Sequence, residues 1–175
     1  MTGPQSAQPQ VWTPSTVFAD DIAVGTTYPL GTALVTEQDI LTFATAWDPQ
    51  YFHVDPRAAA SSPYGGLIAS GIHTVAVLQR LSVEAVYSRW ATIAARGIRD
   101  LRFTRPVRPG TELTGSLVVQ DVQPRGEHRS LVTVTGRLDD VQGDPVLEVA
   151  LDVYVARRPA WPDVRTAELP GSAPE

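Results

Sequence analysis

Asp48 and His53 stand five positions apart in the stretch Trp47-Asp48-Pro49-Gln50-Tyr51-Phe52-His53-Val54-Asp55-Pro56. An imidazole changes protonation near neutral pH and a carboxylate can exchange a proton beside it, so the two residue types suit an acid/base pair. Pro49 lacks an N–H and biases Asp48 away from helical geometry, so the chain must turn between them. The run Tyr64-Gly65-Gly66-Leu67-Ile68-Ala69-Ser70-Gly71 follows. Two adjacent glycines ahead of a long apolar segment mark close backbone approach. If a helix opens there, free N–H groups at Gly66 and Leu67 suit a developing oxyanion. Ser70 reads equally well as a pocket hydroxyl or a small packing residue.

The remaining polar candidates have plainer readings. Asp55 is expected to cap the turn that Pro56 begins. Asp48, His53 and Asp55 are metal-ligand types but lack a second histidine nearby, so no metal site is expected. His73 falls inside an apolar segment and reads as a packed histidine bonded to a polar neighbour, while His128 sits beside Gly126 and reads as exposed. Arg96, Arg99, Arg102, Arg105 and Arg108 recur every third residue, a spacing that alternates faces in a strand. Ion pairs on a solvated edge are the simplest account of them. Arg105 or Arg108, near the Pro109-Gly110 turn, could instead meet a phosphate.

The elements that must hold these residues follow from periodicity. Ile40, Leu41, Phe43, Ala44 and Trp47 recur at helical spacing, predicting a helix over 37–47 capped by Thr36 and stopped by Pro49. A helical turn is expected over 56–60. The longest predicted helix runs over 66–87, with apolar residues covering most of its circumference, so it should be buried on nearly every side. After residue 96 the period changes to two. Leu113, Leu117 and Val119 share a parity, Val132, Val134 and Leu138 another, and Leu147 to Val155 alternate most cleanly. Breaks at 106–110, 124–126 and 139–145 then give three long hairpin-linked strands, plus one near 98–104. One apolar helix laid on an antiparallel sheet is an α+β domain.

At 175 residues the chain is of single-domain length, with a folded body expected over 17–158 and flexible segments at 1–16 and 159–175. It has no cysteine, which excludes disulfides, thiol nucleophiles and thiolate metal sites. The net charge of -5 argues against nucleic-acid binding, and all 14 basic residues are arginine. There is no apolar run of membrane-spanning length and no export-like N-terminal segment, so a cytoplasmic protein without a membrane partner is expected.

Three motifs stand together in this chain: the Asp48, His53, Asp55 pattern; the Gly65-Gly66-Leu67-Ile68-Ala69 run; and Leu101-Arg102-Phe103-Thr104-Arg105-Pro106-Val107-Arg108-Pro109-Gly110. On them the chain resembles the MaoC-like dehydratase and (R)-specific enoyl-CoA hydratase family. The resemblance covers about 20–157. It departs from the commoner family pattern at Trp47, Gln50, Tyr51, Ser70 and Thr111. The resemblance implies a hot-dog fold, a long central helix wrapped by a curled antiparallel sheet. It implies reversible hydration of an enoyl thioester, with Asp48 and His53 holding the water and Trp47, Tyr51, Phe52 and Ser70 around the substrate. No separate cofactor is implied, since coenzyme A or phosphopantetheine belongs to the substrate. An acyl-carrier protein is a possible partner, its phosphate or that of coenzyme A meeting Arg105 or Arg108. A homodimer is expected, because sheet edges need cover. The competing readings are a thioesterase, a dehydratase of a non-thioester, and a non-catalytic acyl-binding or scaffold subunit.

Overall fold

The computed structural model describes residues 16–158. The segments expected to be flexible lie outside the described residues except for Thr16. Five strands form one open antiparallel sheet: β1 (Thr27–Val35), β2 (Thr92–Phe103), β3 (Thr111–Pro124), β4 (Arg129–Asp139) and β5 (Pro145–Ala156). Their order is β1-β3-β4-β5-β2, which leaves β1 and β2 at the edges. The period-two residues predicted to face inward, from Leu113 to Val155, are buried with few exceptions. Asp152 on β5 is a buried carboxylate, held by Thr133 at 2.8 Å and by Arg99 at 2.8 Å.

Among the described residues four α-helices lie between β1 and β2: α1 (Glu37–Trp47), α2 (Tyr51–Val54), α3 (Pro56–Ala59) and α4 (Gly71–Ser82). Helix α1 begins with a capping box in which Thr36 and Asp39 each satisfy the other's backbone N–H. Asp55 caps α3 by accepting from the amides of Arg57 and Ala58 at 2.9 and 3.0 Å. Helix α4 lies on the sheet, burying Thr74, Val77, Leu78 and Leu81, and passes into a π-type turn over Val83–Tyr87. A Cβ on Gly136 would sit 2.8 Å from Leu78 Cδ2, so only glycine lets β4 and the helix come this close. A single helix packed inside a five-stranded antiparallel sheet is the hot-dog architecture. No helix of the described residues is long and apolar enough to cross a membrane.

Three sequence expectations need correction. Strand β1 was not anticipated, because its alternation is broken: pairing with β3 shifts between Pro29 and Gly31, and Gly31 takes a φ of 84°. The buried residues Leu30, Ala33 and Val35 therefore do not keep a strict period of two. The central helix starts at Gly71 rather than residue 66. The amides of Ile68 and Ala69 are taken by carbonyls of Phe52 and Val107, at 3.2 and 2.8 Å, which holds that segment extended. Strand β2 also begins earlier than expected. Its register shift between Ala95 and Gly97 lets Arg96 and Arg99 reach the same Asp152, at 3.8 and 2.8 Å, despite their spacing.

Candidate active site

Helix α1 stops where Pro49 requires. Asp48 still donates its N–H to the Ala44 carbonyl at 2.9 Å, but its φ of −154° and ψ of 70° turn the chain out of the helix. Gln50 then starts α2, with its carbonyl accepting from the His53 amide at 2.8 Å. The short α2 helix turns His53 and Phe52 inward, and His53 is 4 % exposed. The extended segment before α4 passes next to it, and His53 Nδ1 lies 2.8 Å from the Ile68 carbonyl oxygen. A carbonyl can only accept, so Nδ1 carries the proton and the lone pair of a neutral ring is on Nε2.

His53 Nε2 stands 3.6 Å from Asp48 Oδ2. Both atoms are acceptors when the carboxylate is ionised and the ring neutral. Two acceptors at that separation suit one water donating a hydrogen to each. Asp48 is itself held on both oxygens. The Ser70 hydroxyl donates to Oδ2 at 2.7 Å and the Gln50 side-chain amide donates to Oδ1 at 2.9 Å. Those two donors, Ser70 first, hold the Asp48 carboxyl below the usual carboxylate value.

The pair opens into a cavity of about 570 Å³. Its apolar wall includes Phe52, Ile68, Ile72, Phe103 and Val107, and its polar lining includes Asp48, Gln50, His53, Ser70 and Arg105. Ser70 caps α4 by accepting from the Ile72 amide at 3.2 Å. Gly71, the first helical residue, also lines the cavity, and its N–H has no intrahelical acceptor. The Phe103 ring covers Gly71 so closely that a Cβ there would meet it at 2.7 Å.

The structure thus brings together Asp48, His53, Ser70, Phe52 and Arg105 around one cavity and leaves other sequence candidates outside its lining. Gly66 and Leu67 precede the true helix start; Leu67 is buried in the core, and Gly66 packs beneath the Arg108 guanidinium. Trp47 and Tyr51 are 76 % and 50 % exposed, because the last turn of α1 and the first residue of α2 project them outward. Arg108 donates to the Tyr64 carbonyl at 2.6 Å and lines a second cleft, which adjoins the first at Arg105 and Pro106. Arg105 pairs with Asp144 at 2.7 Å.

His128 is exposed as expected. His73 is buried, but the expected polar partner is absent among the described residues. Its ring stacks on Phe43 at 4.7 Å, and Nδ1 has no hydrogen-bond partner. Sequence reasoning missed Gly71 and Phe103 as cavity residues, and it read Gln50 only as a departure from a pattern. The Gly after Ser70, at the start of an apolar helical stretch, was the available signal for the first.

Comparison with known proteins gives a consistent picture. The family model for the MaoC like domain matches residues 21–142. The uncharacterized protein YdeM of Bacillus subtilis is 32% identical over 138 residues, covering 79% of this chain and 98% of that protein. The 3-hydroxyacyl-thioester dehydratase Z of Mycobacterium tuberculosis is 31% identical over 126 residues, covering 70% of this chain and 83% of the relative. Among solved structures, a MaoC-like dehydratase from Rhodospirillum rubrum superposes with a TM-score of 0.77 at 35% identity, over 82% of this chain and 99% of the other. An (R)-hydratase from Pseudomonas aeruginosa shares the fold, with a TM-score of 0.69 at 24% identity over 91% and 97% of the two chains.

Proposed function

This chain belongs to the MaoC-like domain family, and from that premise and the geometry of the cavity we propose that it is a hydro-lyase acting on enoyl and 3-hydroxyacyl thioesters. The observation that carries this reading is the approach of His53 Nε2 and Asp48 Oδ2 to 3.6 Å at the edge of a largely apolar cavity. A water donating to both atoms turns its oxygen lone pairs toward a substrate lying in the cavity. As that oxygen bonds to the β-carbon, the water proton passes to Nε2 and the alkene electrons shift toward the thioester carbonyl. The proton then moves from Nε2 to the α-carbon, which leaves the pair as it began and balances the addition. Asp48 stays ionised throughout and stabilises the transient imidazolium. The α-carbon thus receives its proton from His53 and not from Asp48, because Ser70 and Gln50 both favour the charged carboxylate.

Charge that builds on the thioester oxygen needs donors fixed in advance. The Gly71 N–H at the start of α4 is suited to it by position, in place of Gly66 and Leu67. No step calls for a separate cofactor, since the carrier arm is part of the substrate. Arg105 at the junction of the two clefts is the residue we assign to the phosphates of coenzyme A or an acyl-carrier arm, exchanging Asp144 for the ligand. We also propose a homodimer, formed across the exposed edge of β2.

The test offers crotonyl and longer enoyl thioesters to the protein and to Asp48→Asn and His53→Ala. Conjugated absorbance and free thiol are followed together. Absorbance loss without thiol release is expected, and each variant should lose about a hundredfold to ten-thousandfold in turnover. Thiol release instead would make the protein a thioesterase. No reaction across the panel, or full activity in Asp48→Asn, would remove the assignment.

A further inference from the structure

Gln50 is bonded to both members of the acid/base pair. Its backbone N–H donates to the Asp48 carbonyl at 2.8 Å, its own carbonyl accepts from the His53 amide at 2.8 Å, and its side-chain Nε2 reaches Asp48 Oδ1 at 2.9 Å. It also lines the cavity. Its place at the start of α2 would ordinarily favour a short side chain that caps the helix, such as Asn, Ser or Asp. Gln50 makes no side-chain cap. Its longer side chain goes to the carboxylate instead.

We propose that Gln50 is a positioning residue for the acid/base pair, fixing the rotation of the Asp48 carboxylate so that Oδ2 is kept for Ser70, His53 and the water between them. This rests on the hydro-lyase reading for its catalytic consequence, but not for its structural one. A carboxylate held only at Oδ2 can rotate about its Cβ–Cγ bond and present either oxygen. A second donor on Oδ1 removes that freedom, and Gln50 can be that donor only by presenting its NH₂. The same contact stabilises the charged form after Ser70 does. The other charged or titratable side chains around the cavity are His53 on α2, Tyr64 before α4 and Arg105 after β2. Among the described residues His53 is the only basic side chain with a nitrogen within 4 Å of the Asp48 carboxylate, at 3.6 Å.

The test compares the full-length protein with Gln50→Met, which keeps length but loses the donor, and Gln50→Glu, which puts a second carboxylate beside Oδ1. Gln50→Met should lower kcat about tenfold, the scale of one lost hydrogen bond to a charged group, and leave KM within about twofold. The acidic limb of its pH profile should move upward, and further upward in Gln50→Glu. A kcat loss with an unmoved acidic limb, or no loss in Gln50→Met, would overturn the proposal. The second arm needs no activity. The ¹³Cγ resonance of Asp48 is titrated in the protein and in Gln50→Met, and its midpoint should rise in the variant. An unchanged midpoint overturns the coupling even if the protein hydrates enoyl thioesters. A raised midpoint in a protein inactive toward every enoyl thioester would retain the coupling and reject the reaction assignment.

Discussion

The Ser70 hydroxyl donates to Asp48 Oδ2 at 2.7 Å while accepting from the Ile72 amide at 3.2 Å. One hydroxyl thus ties the acidic residue at the end of α1 to the first turn of α4, across 22 positions of sequence. The position of Asp48 and the starting point of the central helix are therefore linked.

Ser70→Ala should separate two effects of that link. Loss of the helix cap should lower stability by about 1 kcal/mol, read as a shift in the urea midpoint. Loss of the donor to Asp48 should lower turnover about ten- to a hundredfold at saturating substrate. It should also raise the Asp48 carboxyl, so the turnover defect should deepen as pH falls. Wild-type turnover in a variant with the expected stability loss would confine Ser70 to capping.

Gly71→Ala tests the contact between Gly71 and Phe103. A Cβ at position 71 would lie 2.7 Å from the Phe103 ring, closer than the two can pack. The ring must shift, and because it is half exposed the cost should fall at or below the low end of the about 1–3 kcal/mol of core overpacking. Phe103 is 49 % exposed, so Phe103→Ala should cost less and should relieve Gly71→Ala in the double variant. Additive urea midpoints across that cycle would mean that the two residues do not constrain each other.

How much of this was legible in the sequence depended on whether an element kept its period. The buried faces of β3, β4 and β5 follow from alternation, and the ends of α1 follow from Thr36 and Pro49. Strand β1 escaped because a bulge at Gly31 moves its buried residues off parity. The pairing of Asp48 with His53 was legible because both lie on one short turn. The start of α4 was not, because the apolar run Leu67-Ile68-Ala69 continues smoothly into the helix. What ends it is a pair of backbone bonds, to Phe52 and Val107, whose partners are distant in sequence. That Phe52 lines the cavity while Trp47 and Tyr51 lie outside its lining was hidden for a related reason. Composition marks an aromatic-rich turn but not which way each ring points, and only Phe52 lines the cavity.

His73 should make stability fall in mild acid. Burial holds its pKa below the ordinary 6.5, with Arg80 acting in the same direction and Asp39 opposing. Above 6.5 neither folded nor unfolded chain protonates this ring, so stability is unaffected there. As pH falls through that value the unfolded chain takes the proton first, and stability declines toward the lower folded pKa. Urea midpoints measured between about pH 7.5 and pH 5 should therefore fall less steeply in His73→Leu than in the parent chain. Parallel slopes would show that His73 is protonated in the folded state without cost.

The edge of β2 should carry the subunit contact. Its only strand partner among the described residues is β5, so the opposite row of N–H and C=O groups is open for pairing. Along it Ile93, Ile98 and Phe103 are 48 %, 56 % and 49 % exposed, and Ile72 at the cavity is 58 % exposed. A second copy placed antiparallel on this edge would cover those side chains and close the cavity wall at Phe103. Sedimentation equilibrium at micromolar protein should give a mass about twice the 18.9 kDa of the chain. Ile98→Asp puts a charge into that contact without touching Asp48 or His53, so it should shift the mass toward a monomer and lower activity in proportion to the dimer lost. A wild-type monomer at that concentration, or an Ile98→Asp variant that stays dimeric, would place the contact elsewhere. An active monomeric variant would show that the cavity is complete within one chain.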